Sequence, residues 1–159
     1  MVRIAVLYQT KDCVEPTICG TFIKPGVHHL YKMGFEDVRE QLQQLMQRVD
    51  GLNAIVFSDR DGVPIVKVCR IGQDAFGNQI KPETLSSSVL AMGQAARLGM
   101  GNVKRMVVCK ESNQVVCFNK KQVCVQLFAS SAATTGMLLC LESELSSLAA
   151  DLARVIETS

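Results

Sequence analysis

The chain has 159 residues, of which 48% are hydrophobic and 20% charged, which excludes a disordered chain and favours one globular domain over two. The formal net charge is only +2, and the excess lies in residues 1–34, so the composition does not predict the basic face of a nucleic-acid-binding protein. The seven cysteines form no CxxC motif, which predicts free thiols in a reducing, cytoplasmic compartment. No apolar run approaches the roughly 20 residues of a membrane span, so any membrane association is expected to be indirect.

Residues 1–33 differ in pattern from the rest, and we predict an N-terminal extension at 1–33 followed by one domain at 34–159. Residues 4–8 could form a strand. Nothing in the pattern connects this segment with the later core, so the alternatives are a mobile extension or a misassigned start, with Met33 as the first residue.

The first predicted elements are a helix and a hairpin. The helix follows from an apolar stripe that recurs at intervals of three and four residues: Phe35, Val38, Leu42, Leu45 and Val49. Two strands are predicted at 52–57 and 63–69, joined by a tight turn at 59–62. The Asp-Arg-Asp-Gly sequence of this turn could also open a calcium loop, but the next residues supply no further oxygen ligands, so the turn is favoured.

A second helix and three more strands follow. Pro82 suits the first position of a helix, and its apolar stripe is Leu85, Val89, Met92 and Ala96. The Gly-Met-Gly sequence at 99–101 resembles part of a phosphate loop, but it follows a helix and precedes a strand, so it predicts a helix stop. Strands are predicted at 103–109, 115–118 and 123–129, and the short turns between them require antiparallel neighbours.

A last helix is predicted to begin near Thr134 or Thr135 and to continue to Val155. The order α-β-β-α-β-β-β-α predicts an α/β protein (an α+β sandwich) with one five-stranded antiparallel sheet. The first and last helices should cover one face and the middle helix the other. Because one short helix should cover its face incompletely, we expect exposed apolar surface, an unpaired strand edge and pairing with a second copy of the fold.

No catalytic, cofactor or metal site is predicted. The spacing of Cys13 and Cys19 and the adjacent histidines at 28–29 do not fit a structural zinc site. No histidine follows residue 29, which leaves no base for a serine or cysteine nucleophile in the domain. Glu142 and Glu144 are two residues apart and diverge on a helix. A binding protein is therefore favoured over an enzyme.

Three strings carry a family resemblance: GLNAIVFSDRDGVPIVKV, QVVCFN and LFASSAATTGMLLCLESELSSLAADLARVIE. They resemble the MAP kinase scaffold subunits of the Ragulator complex, in the Roadblock/LC7 superfamily, and the likeness extends from about residue 35 to 159. The resemblance implies a Roadblock/LC7 fold and no catalysis. It also implies a heterodimer with a second Roadblock subunit, in which the middle helices pack together and the third strands join the sheets. The partner-binding candidates on that basis are Leu85, Val89, Met92 and Ala96 on the helix and Lys104, Met106 and Val108 on the strand.

The same resemblance implies a place and a set of partners. The place is the cytosolic face of late endosomes and lysosomes, where a lipidated anchor subunit would hold the complex. The partners are Rag GTPases, in amino-acid signalling to the target-of-rapamycin kinase, and a MAP kinase kinase with its MAP kinase. Two alternatives are a direct regulator of nucleotide exchange on small GTPases and a homodimeric dynein-type light chain.

Overall fold

In the computed structural model, the described residues are 3–7, 35–70 and 80–157, and they form six strands and four helices around one sheet. Along the chain the elements are β1 (Arg3–Leu7), α1 (Phe35–Arg48), β2 (Leu52–Ser58), β3 (Pro64–Cys69), α2 (Pro82–Ala95), β4 (Arg105–Cys109), β5 (Asn113–Lys120), β6 (Val123–Ser130), α3 (Thr135–Cys140) and α4 (Glu142–Glu157). A wider helical turn, Ala96–Met100, extends α2. Gly99 within it has a non-helical φ of +76° and Gly101 is the C-cap, so the predicted helix stop is confirmed.

The strand order in the sheet is β1-β4-β5-β6-β2-β3, and all neighbours are antiparallel. The five predicted strands are all present, which confirms the fold class. β1 adds a sixth strand beside β4, although its sequence gave no reason to connect it with the core. A five-residue strand has too little pattern to identify its neighbour, because strand pairing joins residues that are distant in sequence. The predicted domain boundary at 33/34 stays a prediction.

One face of the sheet is covered by α1 and α4, as predicted. Their apolar stripes and the strand residues beneath them form the main core, with Leu42, Phe57, Phe118 and Leu145 at most 1% exposed. Burial of such a side chain stabilises the fold by roughly 1.5–3 kcal/mol. Glu142, at the start of α4, pairs with Arg105 of β4 and Lys120 of β5, which fixes this helix against the sheet.

The other face is covered by α2 alone, and the expectation of an incompletely covered sheet is wrong there. Val56, Cys117 and Gln126 on this face are fully buried. The reason is that Leu85 and Met92 of α2 pack onto this face in two buried clusters with residues of the sheet. Gln126 Nε2 donates to the Leu85 carbonyl at 3.2 Å.

The turn between β2 and β3 is a hairpin turn, as predicted. Asp59 Oδ1 accepts hydrogen bonds from the backbone N–H of Asp61 (2.9 Å) and Val63 (2.8 Å), so this carboxylate stabilises the turn itself. Gly62 has a φ of +83°, and a Cβ there would lie 2.4 Å from the Ser86 backbone. A side chain at this position would therefore push the hairpin away from α2.

The predicted last helix is two helices, α3 and α4, with Leu141 between them. The leucine periodicity continues across this break and so could not reveal it. Thr134 occupies the N-cap position without a side-chain cap hydrogen bond, and Thr135 Oγ1 instead bonds Gln114 Oε1 at 2.7 Å. The cysteines and histidines considered for zinc lie outside the described residues.

Candidate interaction surface

The structure divides the predicted partner-binding residues into three groups. Leu85, Met92 and Met106 are only 2%, 3% and 1% exposed and belong to the chain's own core. Three others, Val89, Ala96 and Val108, are half-buried beside them, and Lys104 is exposed. The apolar stripe that predicted α2 is thus the side of the helix that packs on its own sheet. A partner role for the accessible candidates stays a prediction.

The opposite side of α2 carries exposed apolar residues that are not among the partner-binding residues predicted from the sequence. Leu90 is 63% exposed and Leu98 is 74% exposed. They lie eight residues apart, on the same side of the helix. We call this side the outer stripe, and its exposed members are Ser87, Leu90, Gln94 and Leu98. The sequence holds one signal for their exposure. Leu90 and Leu98 are apolar, but they lie outside the apolar stripe that runs from Leu85 to Ala96.

Small residues widen the accessible area around the outer stripe. Ala91 and Gly93 are both exposed, and a Cβ placed on Gly93 would meet nothing within 4 Å. A glycine in a helix interior costs about 1 kcal/mol relative to alanine. Because Gly93 is exposed and has no side chain, its backbone is open to contact from outside.

The two sheet edges differ in how they are covered. Along its full length β4 pairs with β1, from Arg3 opposite Cys109 to Leu7 opposite Arg105. β3 lies at the other edge and begins with Pro64, which has no N–H to donate. Within the described residues, the β4 edge beside α2 is therefore already paired.

The two thiols beneath α2 are buried and protonated at neutral pH. Burial raises the pKa of the Cys117 thiol well above its usual 9.0, and it raises the pKa of Cys124 to about 12. Both cysteines are therefore protonated near pH 7, whereas the thiolate is the nucleophile. The described residues also include no group of three or more side chains that could hold a metal ion.

Comparison with known proteins identifies the family of this chain. The model of a family described as mitogen-activated protein kinase kinase 1 interacting matches residues 36–156. The chain belongs to this family. Among its relatives, Ragulator complex protein LAMTOR3 of Pongo abelii is 40% identical over 124 residues, which are 78% of this chain and 98% of the relative. The Homo sapiens protein of that name is 39% identical with the same coverage. The predicted likeness to Ragulator scaffold subunits is confirmed, and β1 lies outside the family match.

Solved structures share the fold of this family member at low sequence identity. Myxococcus xanthus MglB superposes with a TM-score of 0.57 and 15% identity, over 80% of this chain and 100% of that chain. A structure titled "MglB with tetrameric arrangement" gives a TM-score of 0.60 at 14% identity, over 77% and 93% of the two chains. Together with the element order and the sheet, these similarities confirm the predicted Roadblock/LC7 fold. None of the described helices is both long and apolar enough to span a bilayer.

Proposed function

We propose that this chain is a non-enzymatic scaffold subunit of a Ragulator complex and acts as one half of a heterodimer with a second Roadblock-fold subunit. The observation that carries the proposal is the 39–40% identity that extends over 98% of the length of LAMTOR3 relatives. The family match at residues 36–156 also extends from the first turn of α1 to the last turn of α4, so the likeness supports the same assembly as well as the same fold.

In this proposal the assembled complex works on the cytosolic face of late endosomes and lysosomes, where a lipidated anchor subunit holds it. There it recruits Rag GTPases in signalling from amino acids to the target-of-rapamycin kinase. It also brings a MAP kinase kinase together with its MAP kinase. The family description, mitogen-activated protein kinase kinase 1 interacting, supports the kinase partner, and the name of the relatives supports membership of a Ragulator complex.

The outer stripe is the part of the described surface best suited to the second subunit. Leu90 and Leu98 are exposed apolar side chains on a helix whose exposed neighbours Ala91 and Gly93 are small. Burial in an interface would remove both leucines from water. The β4 edge lies on the same side of the molecule as α2, because Met92 and Met106 share one cluster. In the proposed heterodimer, a partner that packs on α2 also joins the sheet at β4, the edge that β1 occupies in the lone chain.

The experiment is purification of the full chain, tagged at its C-terminus, from cells in which it is expressed at its native level. Mass spectrometry should find one second Roadblock-fold subunit in equal amount, together with a lipidated subunit and Rag GTPases. Cell fractionation should place the chain with late endosomes and lysosomes, and depletion of the lipidated subunit should release it to the cytosol.

Two other outcomes would replace this proposal. Recovery of dynein subunits with two copies of this chain would favour a homodimeric light chain. Acceleration of nucleotide release from a purified small GTPase by the chain itself would favour a direct exchange regulator.

A further inference from the structure

β1 is the part of the described structure that the family likeness does not explain. The family match begins at residue 36, and β1 is Arg3–Leu7. Nevertheless β1 pairs with every residue of β4, from Arg105 to Cys109. β4 therefore has a neighbour on both sides, β1 and β5, and its backbone groups are used within one polypeptide.

We propose that β1 is an intramolecular placeholder, which occupies the β4 edge in the lone subunit and competes with the partner strand for it. The inference rests on the proposed function, in which the second subunit joins the sheet at β4. One strand edge presents a single row of N–H and C=O groups, so two strands cannot pair with it at once. The partner must either displace β1 or give up the β4 edge.

A placeholder strand has two physical consequences. An unpaired strand edge is a template for aggregation, and β1 covers this edge in the subunit that has no partner bound. It also weakens partner binding, because only the fraction of molecules with β1 undocked is competent to pair. If that fraction is about one tenth, the apparent Kd is about tenfold higher than the intrinsic Kd.

The register provides a direct test with one substitution. Arg3 lies opposite Cys109 in the backbone register of the antiparallel pair. Cα atoms at such positions are about 4.5–5.5 Å apart, within the range of a disulfide. Arg3→Cys in the full chain therefore allows an oxidant to lock β1 onto β4 and a reductant to release it. The matched control is Ile4→Cys, whose register partner is Val108 rather than a cysteine.

The measurement is the Kd for the second Roadblock-fold subunit recovered from the native complex, before and after oxidation, with disulfides mapped by peptide mass spectrometry. We expect oxidised Arg3→Cys to carry a bond to Cys109 and to bind at least tenfold more weakly, with full recovery on reduction. Ile4→Cys should form no bond to Cys109, and its Kd should not change.

Three outcomes would overturn the inference, and they are distinguishable. Absence of the bond in Arg3→Cys would show that β1 does not lie on β4. A bond that leaves the Kd unchanged would show that the partner does not need this edge, while the heterodimer stands. If the unmodified chain does not bind the second subunit at all, the proposed function fails and the placeholder role fails with it.

Discussion

The Arg70 side chain connects the end of α1 with the start of β2 through three hydrogen bonds. Its Nη2 donates to the carbonyls of Met46 and Val49, both at 2.8 Å, and its Nε donates to the Leu52 carbonyl at 3.1 Å. The carbonyls at the end of a helix have no partner within the helix. Arg70 therefore caps α1 and holds its end against the start of β2.

Arg70→Ala should lower the free energy of unfolding by about 2 kcal/mol, because buried carbonyls lose a charged donor. Urea titration followed by circular dichroism measures this. Arg70→Lys should recover only part of the loss, since an ammonium group cannot reproduce the planar geometry of a guanidinium. Equal stability of the alanine variant and the unmodified chain would contradict the capping role.

The two buried thiols predict a dependence of stability on pH. Burial raises the pKa of Cys117 and Cys124 in the folded chain, and the second rises from 9.0 to about 12. Above pH 9 the unfolded chain therefore loses thiol protons that the folded chain keeps, so the free energy of unfolding falls as pH rises from about 9 to about 12. Denaturation at several pH values should show a shallower fall for Cys124→Val. If the free energy of unfolding falls equally steeply with pH in Cys124→Val and the unmodified chain, the raised pKa of Cys124 is contradicted.

At the residue scale, the sequence predicted the features that depend only on neighbouring residues in the chain. The turn at Asp59 and Gly62 follows from the preferences of those residues and their neighbours. The role of Arg70 depends on carbonyls more than 17 positions away in the chain, which no local pattern encodes. Likewise, the exposure of Leu90 and Leu98 depends on which side of α2 meets the sheet.

At the element scale, α2 has two faces with different roles. The inner face, with Leu85 and Met92, closes the core, so an acidic substitution at Met92 or Met106 would unfold the subunit rather than act on pairing alone. The outer stripe is the face that a partner can reach. The 3.6-residue period predicted the helix correctly, but periodicity alone cannot distinguish an interface from a core.

Leu90→Asp and Leu98→Asp should each weaken binding of the second Roadblock-fold subunit at least tenfold, because a carboxylate would be buried in the interface. Both side chains are exposed, so the stability of the lone subunit should change by less than about 0.5 kcal/mol. Isothermal calorimetry gives the Kd of each variant.

The matched control is Met137→Asp, an exposed apolar position, 52% accessible, on α3 rather than on α2. Its Kd should equal that of the unmodified chain. If both outer-stripe variants also bind as the unmodified chain does, the outer stripe is not the interface.

Gly93→Ala should raise the free energy of unfolding of the lone subunit by about 0.5–1 kcal/mol, since alanine is the better helix former and its Cβ would enter open space. Thermal unfolding followed by circular dichroism measures the change, with Gly99→Ala as the comparison. Gly99 has a positive φ, so alanine there should destabilise. A lower stability of Gly93→Ala would show that the backbone at Gly93 is strained or in contact.

At the scale of the whole molecule, the sequence predicted which helices cover each face of the sheet, but not that β1 pairs with the β4 edge. Apolar periodicity and short turns predict the sheet and the helices on each face. The position of β1 depends on pairing between residues about 100 positions apart, for which the sequence of Arg3–Leu7 gives no pattern. Because α1, α4 and α2 cover the sheet faces and β1 pairs with the β4 edge, the exposed leucines of α2 are the described feature that favours a partner, and the β4 edge becomes accessible only when β1 is displaced.

The heterodimer is the central claim, and native mass spectrometry of the purified full chain, alone and mixed with the second Roadblock-fold subunit, tests it most directly. If the heterodimer forms, the mixture should give one dominant species with one copy of each subunit at micromolar concentration. Two separate monomers in the mixture, with no mixed species, would contradict it.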